Sequence, residues 1–288
     1  MKILVMGARG QLGRTLQAHA PADVKMICVD LPELDIAEKD QVQALVQREA
    51  PDLIVNCAAF TAVDLAESEP EVARRANADG PAILAAAAND TGARLIHIST
   101  DFVFNGHANE PYSPDSIANP LSVYGDTKWE GERGVREALP DSSIVLRTSW
   151  LYSEYGGNFV STMLRLFNER DEISVVDDQT GSPTWCHSVA KAVFGFVGAP
   201  ALSGTYHWTD SGQTSWYEFA CAIQEEALIL GMINGATKIS PIPSADYPTA
   251  ATRPAYSVLD CSSTATELGL LQTPWRQNLR AMLKLLAR

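Results

Sequence analysis

Short apolar runs alternate along the chain with longer stretches whose apolar residues recur every three or four positions. The runs Lys2–Met6, Met26–Asp30, Leu53–Cys57, Arg94–Ser99 and Ser143–Thr148 are nearly continuous and end at glycine or polar residues, the pattern of strands covered on both faces. Between them, a stretch from the first glycines to about Ala20, then Lys39–Glu49, Pro70–Gly92 and roughly Leu121–Ala138, carry helical spacing. Strand and helix alternating at this interval predict an α/β fold: a doubly wound parallel sheet with helices on both faces. Right-handed crossovers place every strand's C-terminal end on one edge, where ligands bind in such sheets. After about Trp150 the pattern loosens, Pro and Gly become frequent, and Trp185, Trp208, Trp216 and Trp275 occur. The expected organisation is a main domain over residues 1–150 and a smaller lobe over 151–288. A short strand at Ile173–Val176, within a segment near 172–197, is expected to rejoin the main sheet.

The first strand breaks into Gly7, Gly10 and Gly13 and passes at once into a helix. Glycine permits positive φ and keeps side chains away from a ligand, and the helix start offers unpaired N–H groups and a positive dipole end. The turn therefore suits a phosphate, although the G-x-x-G-x-x-G spacing is not the G-x-G-x-x-G dinucleotide fingerprint. Asp30, at the end of the second strand, can accept hydrogen bonds from ribose hydroxyls and would repel a 2′-phosphate. Arg9, inside the turn, could hold such a phosphate, so the pattern leaves both nicotinamide cofactors open.

Composition removes several function classes. The net charge is −13, from 22 basic and 35 acidic residues, and no Lys/Arg cluster exceeds a pair, which argues against a nucleic-acid partner. No signal peptide and no apolar stretch of membrane-spanning length is visible, so a cytoplasmic protein without membrane contact is expected. The five cysteines are scattered and lack a C-x-x-C, as in a reduced compartment.

The candidate chemistry lies at strand ends. Ser99, Thr100 and Asp101 follow the fourth strand, where hydroxyls can meet a substrate oxygen or cap a helix. Tyr124 and Lys128 stand four apart at a helix start and share one face. A cation one turn away is expected to lower the pKa of the phenol, and the pair could pass a proton to or from a carbonyl or alcohol oxygen.

With "GARGQLG", "VNCAAFTAVDLAE", "STDFVFNG", "YGDTKWEGE", "RTSWLY" and "YPTAATRP", the chain resembles the extended short-chain dehydrogenase/reductase family over nearly its whole length. Within that family it is similar to the reductases of a deoxythymidine-diphosphate keto sugar. The resemblance implies a Rossmann domain with a sugar-nucleotide lobe, NADPH or NADH as cofactor and dTDP-4-dehydrorhamnose as substrate, reduced at its C4 ketone. By position it implies that Gly7, Gly10, Gln11, Leu12 and Gly13 line the pyrophosphate. Asp30 would meet the adenosine ribose, with Asp35 and Ile36 near the adenine and Ala58, Ala59 and Thr61 beside the cofactor. Thr100, Tyr124 and Lys128 form the implied triad; Asp101, Phe104, Trp150 and Arg253 would meet the substrate. Phe102 replaces a tyrosine usual in the family. His187 stands where some members carry a glutamate that binds magnesium at a dimer interface, so no metal is expected and the chain is a monomer or homodimer. The near alternative is another sugar-nucleotide enzyme of the same family, an epimerase or a 4-keto reductase of a different sugar; a non-catalytic regulatory subunit of the same fold is the alternative from another class.

Overall fold

In the computed structural model, which describes residues 1–287, the alternation closes into a wholly parallel sheet of six strands. These are β1 (Lys2–Met6), β2 (Lys25–Val29), β3 (Leu53–Asn56), β4 (Arg94–Thr100), β5 (Ser143–Thr148) and β7 (Gly204–His207), while β6 (Glu172–Val176) lies outside it. The order is β7-β5-β4-β3-β1-β2. Alternate residues of each strand face opposite layers. Ile3 and Val5 join Leu53, Val55, Ile96 and Leu146 in one core, covered by α1 (Gln11–Ala18) and α7 (Cys186–Gly198). Leu4, Met6, Ile54, Leu95 and Val145 join the other, covered by α2 (Lys39–Glu49), α4 (Gly80–Thr91) and α5 (Val123–Ala138).

The chain runs from β1 outward to β2 and then returns to β3 on the other side of β1. The crevice at the C-terminal ends of β1 and β3 is therefore the switch point of the sheet, the place where doubly wound folds bind ligands.

A third core belongs to the lobe. It gathers Val160, Met163 and Phe167 of α6 (Phe159–Glu169), Phe219 and Ile223 of α8 (Trp216–Ile229), and Leu279, Met282 and Leu283 of α9 (Trp275–Leu286). Here the structure corrects one expectation. β6 does not rejoin the main sheet; it pairs in parallel with β8 (Lys238–Ile242). Val175 packs into the lobe core with Ile173 and Ile239 against it, so its apolar face is already satisfied there. The later elements that do return to the central layer are α7, through Val189, Val193 and Phe196, and β7, which adds to the edge of β5.

Candidate active site

The glycine turn is set by close approach. Gly7 has φ of +73°, and a Cβ there would lie 2.5 Å from the Ala58 nitrogen, so any side chain would force β1 and β3 apart at the switch point. A Cβ at Gly13 would meet the Gly7 carbonyl oxygen at 2.3 Å, which fixes α1 directly over the turn. Gly10 caps α1 without a side-chain hydrogen bond, and no acidic residue lies in the first turn, so its N–H groups and positive dipole end are uncompensated. Leu12 is buried in the core and can offer only its backbone. Gln11 Oε1 accepts hydrogen bonds from Ser153 Oγ and Asn158 Nδ2, each at 3.0 Å, and ties the turn to the lobe.

A cavity of about 370 Å³ opens beside this turn. It brings together Gly7, Gly10, Asp30, Asp35, Ile36, Ala58 and Ala59. Thr61 is exposed farther along the loop after β3 and is not among the lining residues. Asp30 braces the turn: its carboxylate accepts from Arg9 N at 2.7 Å and Leu31 N at 2.8 Å. The Arg9 guanidinium donates to the Leu31 carbonyl at 2.6 Å and pairs with Glu33. Asp35 accepts from Ala37 N and from Arg75; burial works against its charge, but these hydrogen bonds hold its carboxyl below the usual range. Uncapped N–H groups facing a cavity with a carboxylate at the second strand end are a donor set that fits a dinucleotide.

The hydroxyl and phenol sit at the same edge. Thr100 ends β4 and caps a short turn, accepting from Phe102 N at 3.2 Å. Ser99 points the other way, donating to Glu132 Oε1 at 2.5 Å within a buried ion pair of Glu132 with Arg147. That geometry separates the two candidate hydroxyls and leaves Thr100 at the site. Tyr124 lies in the first turn of α5, which Ser122 caps by accepting from Gly125 N. Two glycines seat this helix: a Cβ at Gly125 would meet the Phe102 oxygen at 2.3 Å, and one at Gly131 the Asn77 oxygen at 2.0 Å.

The electrostatics differ from the expected lowering of the phenol pKa by Lys128. The poorly solvated surroundings of the Tyr124 hydroxyl push its pKa up to about 12, although part of the residue is solvent-accessible; Thr100 acts against this by hydrogen bonding and the Asp101 charge acts with it. Lys128 is 2% exposed, and burial brings its amine down to about 8. Its Nζ donates to the Ile98 carbonyl at 2.6 Å. Loss of solvation of the phenolate is the largest influence on Tyr124, and Lys128 is not among the groups that shift it.

A second groove, of about 890 Å³, is lined by residues of the lobe and by Asp64 of α3 (Val63–Ser68). Arg253 is in its wall and pairs bidentately with Asp64, at 3.1 and 2.6 Å. Trp216 lines it as well, with Trp150 stacked on Trp216 at 3.5 Å between ring centres. Trp150 holds that stack with φ of +47°, a strained value for a side chain of this size. Asp101 is 1% exposed, its Oδ2 has no hydrogen-bond partner, and burial raises its carboxyl to about 6. Phe104 corrects another expectation: it is fully buried, stacked on Tyr112 at 4.1 Å, and has no surface to offer a substrate. A motif position gives no direction, and this ring turns into the core with Leu146 and Trp208.

Comparison with known proteins decides the family. The RmlD substrate-binding domain model matches residues 1–288. The chain belongs to the RmlD substrate-binding domain family. A dTDP-4-dehydrorhamnose reductase of Aggregatibacter actinomycetemcomitans is 40% identical over 287 residues, 97% of each chain. Among solved structures, a dTDP-4-dehydrorhamnose reductase of Clostridium acetobutylicum superposes with a TM-score of 0.94 at 39% identity over 100% of both chains. One from Bacillus anthracis, in complex with NADP, does so with 0.91 at 38% identity over 98% of both.

Four residues that support this RmlD-family site do not stand out in the sequence. Asn77 accepts from Phe60 N at 2.8 Å and donates to the Phe60 carbonyl and Thr127, pinning the loop after β3 to α5. It lies in a π-helical turn, Arg75–Asp79, an irregularity that side-chain periodicity does not reveal. Asn56 and His97 are buried polar residues inside strands, and Asp64 looks like any first-turn acid until Arg253 meets it. His187 rests between Glu154 Oε1 at 2.9 Å and His19 Nε2 at 3.0 Å, stacked on Trp185.

Proposed function

We propose that this chain reduces the C4 ketone of dTDP-4-dehydro-β-L-rhamnose to dTDP-L-rhamnose, the last step of dTDP-L-rhamnose synthesis, using NADPH or NADH. The observation that carries this reading is the meeting of Thr100 and Tyr124 at the C-terminal edge of β4, beside an uncapped glycine turn with its own cavity.

The nicotinamide cofactor supplies the hydride when bound. The N-terminus of α1 and the Gly7–Gly13 turn hold its phosphates, Asp30 accepts from its adenosine ribose, and Lys128 holds the second ribose. Thr100 donates to the ketone oxygen and orients it. Tyr124, with a pKa near 12, keeps its proton at neutral pH and is therefore the acid that neutralises the developing alkoxide. Arg253 and Trp216 in the 890 Å³ groove suit a diphosphate and a pyrimidine face, one by bidentate charge, the other by stacking. Residues 1–150 with α7 and β7 form the cofactor-binding part and the rest the sugar-nucleotide lobe. The thiols are all free, in keeping with a cytoplasmic site of action, and no described helix is long and apolar enough to cross a membrane.

Mixing the purified protein with NADPH and dTDP-4-dehydrorhamnose tests the reading. NADPH should be consumed in proportion to keto sugar added, and omission of the keto sugar should stop it. No consumption would leave the chain as a binding protein of the same fold.

A further inference from the structure

Lys128 does not face the sheet alone. Its Nζ lies 3.4 Å from His97 Nε2, and His97 Nδ1 lies 3.1 Å from Asn56 Nδ2. Asn56 Oδ1 in turn accepts from Ala58 N at 3.1 Å. The last contact fixes the rest. A backbone N–H can only donate, so the Asn56 oxygen faces Ala58 and its amide nitrogen faces His97. An amide nitrogen also only donates, so His97 Nδ1 must accept. His97 and Asn56 are both fully buried, and desolvation together with the Lys128 charge holds the imidazole neutral. A neutral imidazole carries one proton, which must then be on Nε2. Nε2–H points at the Lys128 amine. An ammonium there sets donor against donor, whereas a neutral amine offers its lone pair and still donates to Ile98.

We propose that His97 is a positioning residue: locked by Asn56 as its Nε2–H tautomer, it opposes the ammonium form of Lys128 and so lets this lysine lose and regain a proton near neutral pH. After Tyr124 has given its proton to the alkoxide, the Lys128 ammonium can return one to the phenolate. The amine left behind accepts from His97 Nε2–H until solvent water reprotonates it. The other groups that act on Lys128 are Glu132 on α5, Cys57 after β3 and the Ile98 carbonyl on β4; Tyr124 stands one helical turn before it on α5. Burial is the largest influence against the ammonium, and Glu132 and Cys57 favour it; the imidazole donor 3.4 Å away adds an opposition that depends on the tautomer.

The tautomer can be read without turnover, independently of the catalytic reading of Lys128 on which the rate effect rests. ¹⁵N spectra of histidine-labelled wild-type protein, assigned through the backbone, should show His97 protonated on Nε2 and not titrating across the neutral range. A proton on Nδ1 overturns the proposal whatever the activity. Two variants then read the rate. Asn56→Asp accepts from both neighbours, turning the His97 lone pair towards Lys128. His97→Gln adds no charge and can turn its oxygen to the amine. In both, the alkaline limb of the kcat–pH profile should move up by about 1 pH unit, the size of one charged hydrogen bond. A shift in Asn56→Asp alone would assign the effect to the new carboxylate's field, and no shift in either would reduce His97 to packing; both outcomes contradict the proposal.

Discussion

Lys128 allows its electrostatics to be separated from its hydrogen bonds. Burial takes its pKa from 10.5 unfolded to about 8 folded, with Glu132 and Cys57 acting the other way. A base with a depressed folded pKa costs stability. Below about 8 both states hold the proton and the full cost is present, on the order of 3 kcal/mol at roughly 1.36 kcal/mol per unit. Between about 8 and 10.5 the unfolded chain binds more protons than the native one, so this contribution to stability rises with pH; above 10.5 the cost is gone. Lys128→Met keeps the stem volume and removes the amine. It also leaves the Ile98 carbonyl without its donor, a loss that does not depend on pH. The difference in unfolding free energy between wild type and Lys128→Met should therefore move towards the wild type by about 2–3 kcal/mol from about pH 7 to about pH 10. Urea unfolding of both proteins at matched ionic strength, with equal m-values, measures this difference. A flat difference would show that the amine is solvated in the native state and would refute the reasoning; a movement towards the variant would reverse its sign.

Tyr124→Phe removes the proton but keeps the ring packed edge-on against Phe102, so kcat should fall by roughly 10²–10⁴-fold while NADPH binding, read by fluorescence quenching, stays near wild type. Asp30→Ala should raise the KM for NADH more than that for NADPH, because it removes ribose contacts and relieves repulsion of a 2′-phosphate; equal losses would confine Asp30 to bracing Arg9 and Leu31. Gly131→Ala places a methyl 2.0 Å from the Asn77 carbonyl oxygen and should cost about 1–3 kcal/mol in thermal or urea unfolding, since backbone must move.

Much of the cofactor half is legible in the sequence because covalent geometry dictates it. An apolar run that stops at Gly7 and becomes helical by Gln11 has few alternatives, and the structure adds the reason: Ala58 leaves no room for a Cβ. Tyr124 and Lys128 fall on one helical turn by spacing alone. What depends on partners distant in sequence is not legible. Ile173–Val176 and Gly204–His207 are both short strands, and pattern cannot say which sheet each joins; that is settled by Ile239 in one case and by the open edge of β5 in the other. Phe104 belongs to a site motif yet turns inward, because side-chain direction at a strand exit is set by tertiary packing. The pKa of Tyr124 moves opposite to the expectation from its neighbour because desolvation is a property of the whole edge, and the tautomer of His97 requires three residues from two strands and a loop.

The most direct test of the account follows one hydrogen isotope. NADPH carrying deuterium at the transferable C4 position is incubated with dTDP-4-dehydrorhamnose and either wild-type protein or Tyr124→Phe, and the product is isolated for mass spectrometry and proton NMR. The account predicts dTDP-rhamnose with deuterium at sugar C4 from the wild type, and a product formed slowly but labelled at the same carbon from the variant. Undiminished turnover in Tyr124→Phe, or product from the wild type with no deuterium at C4, would contradict it.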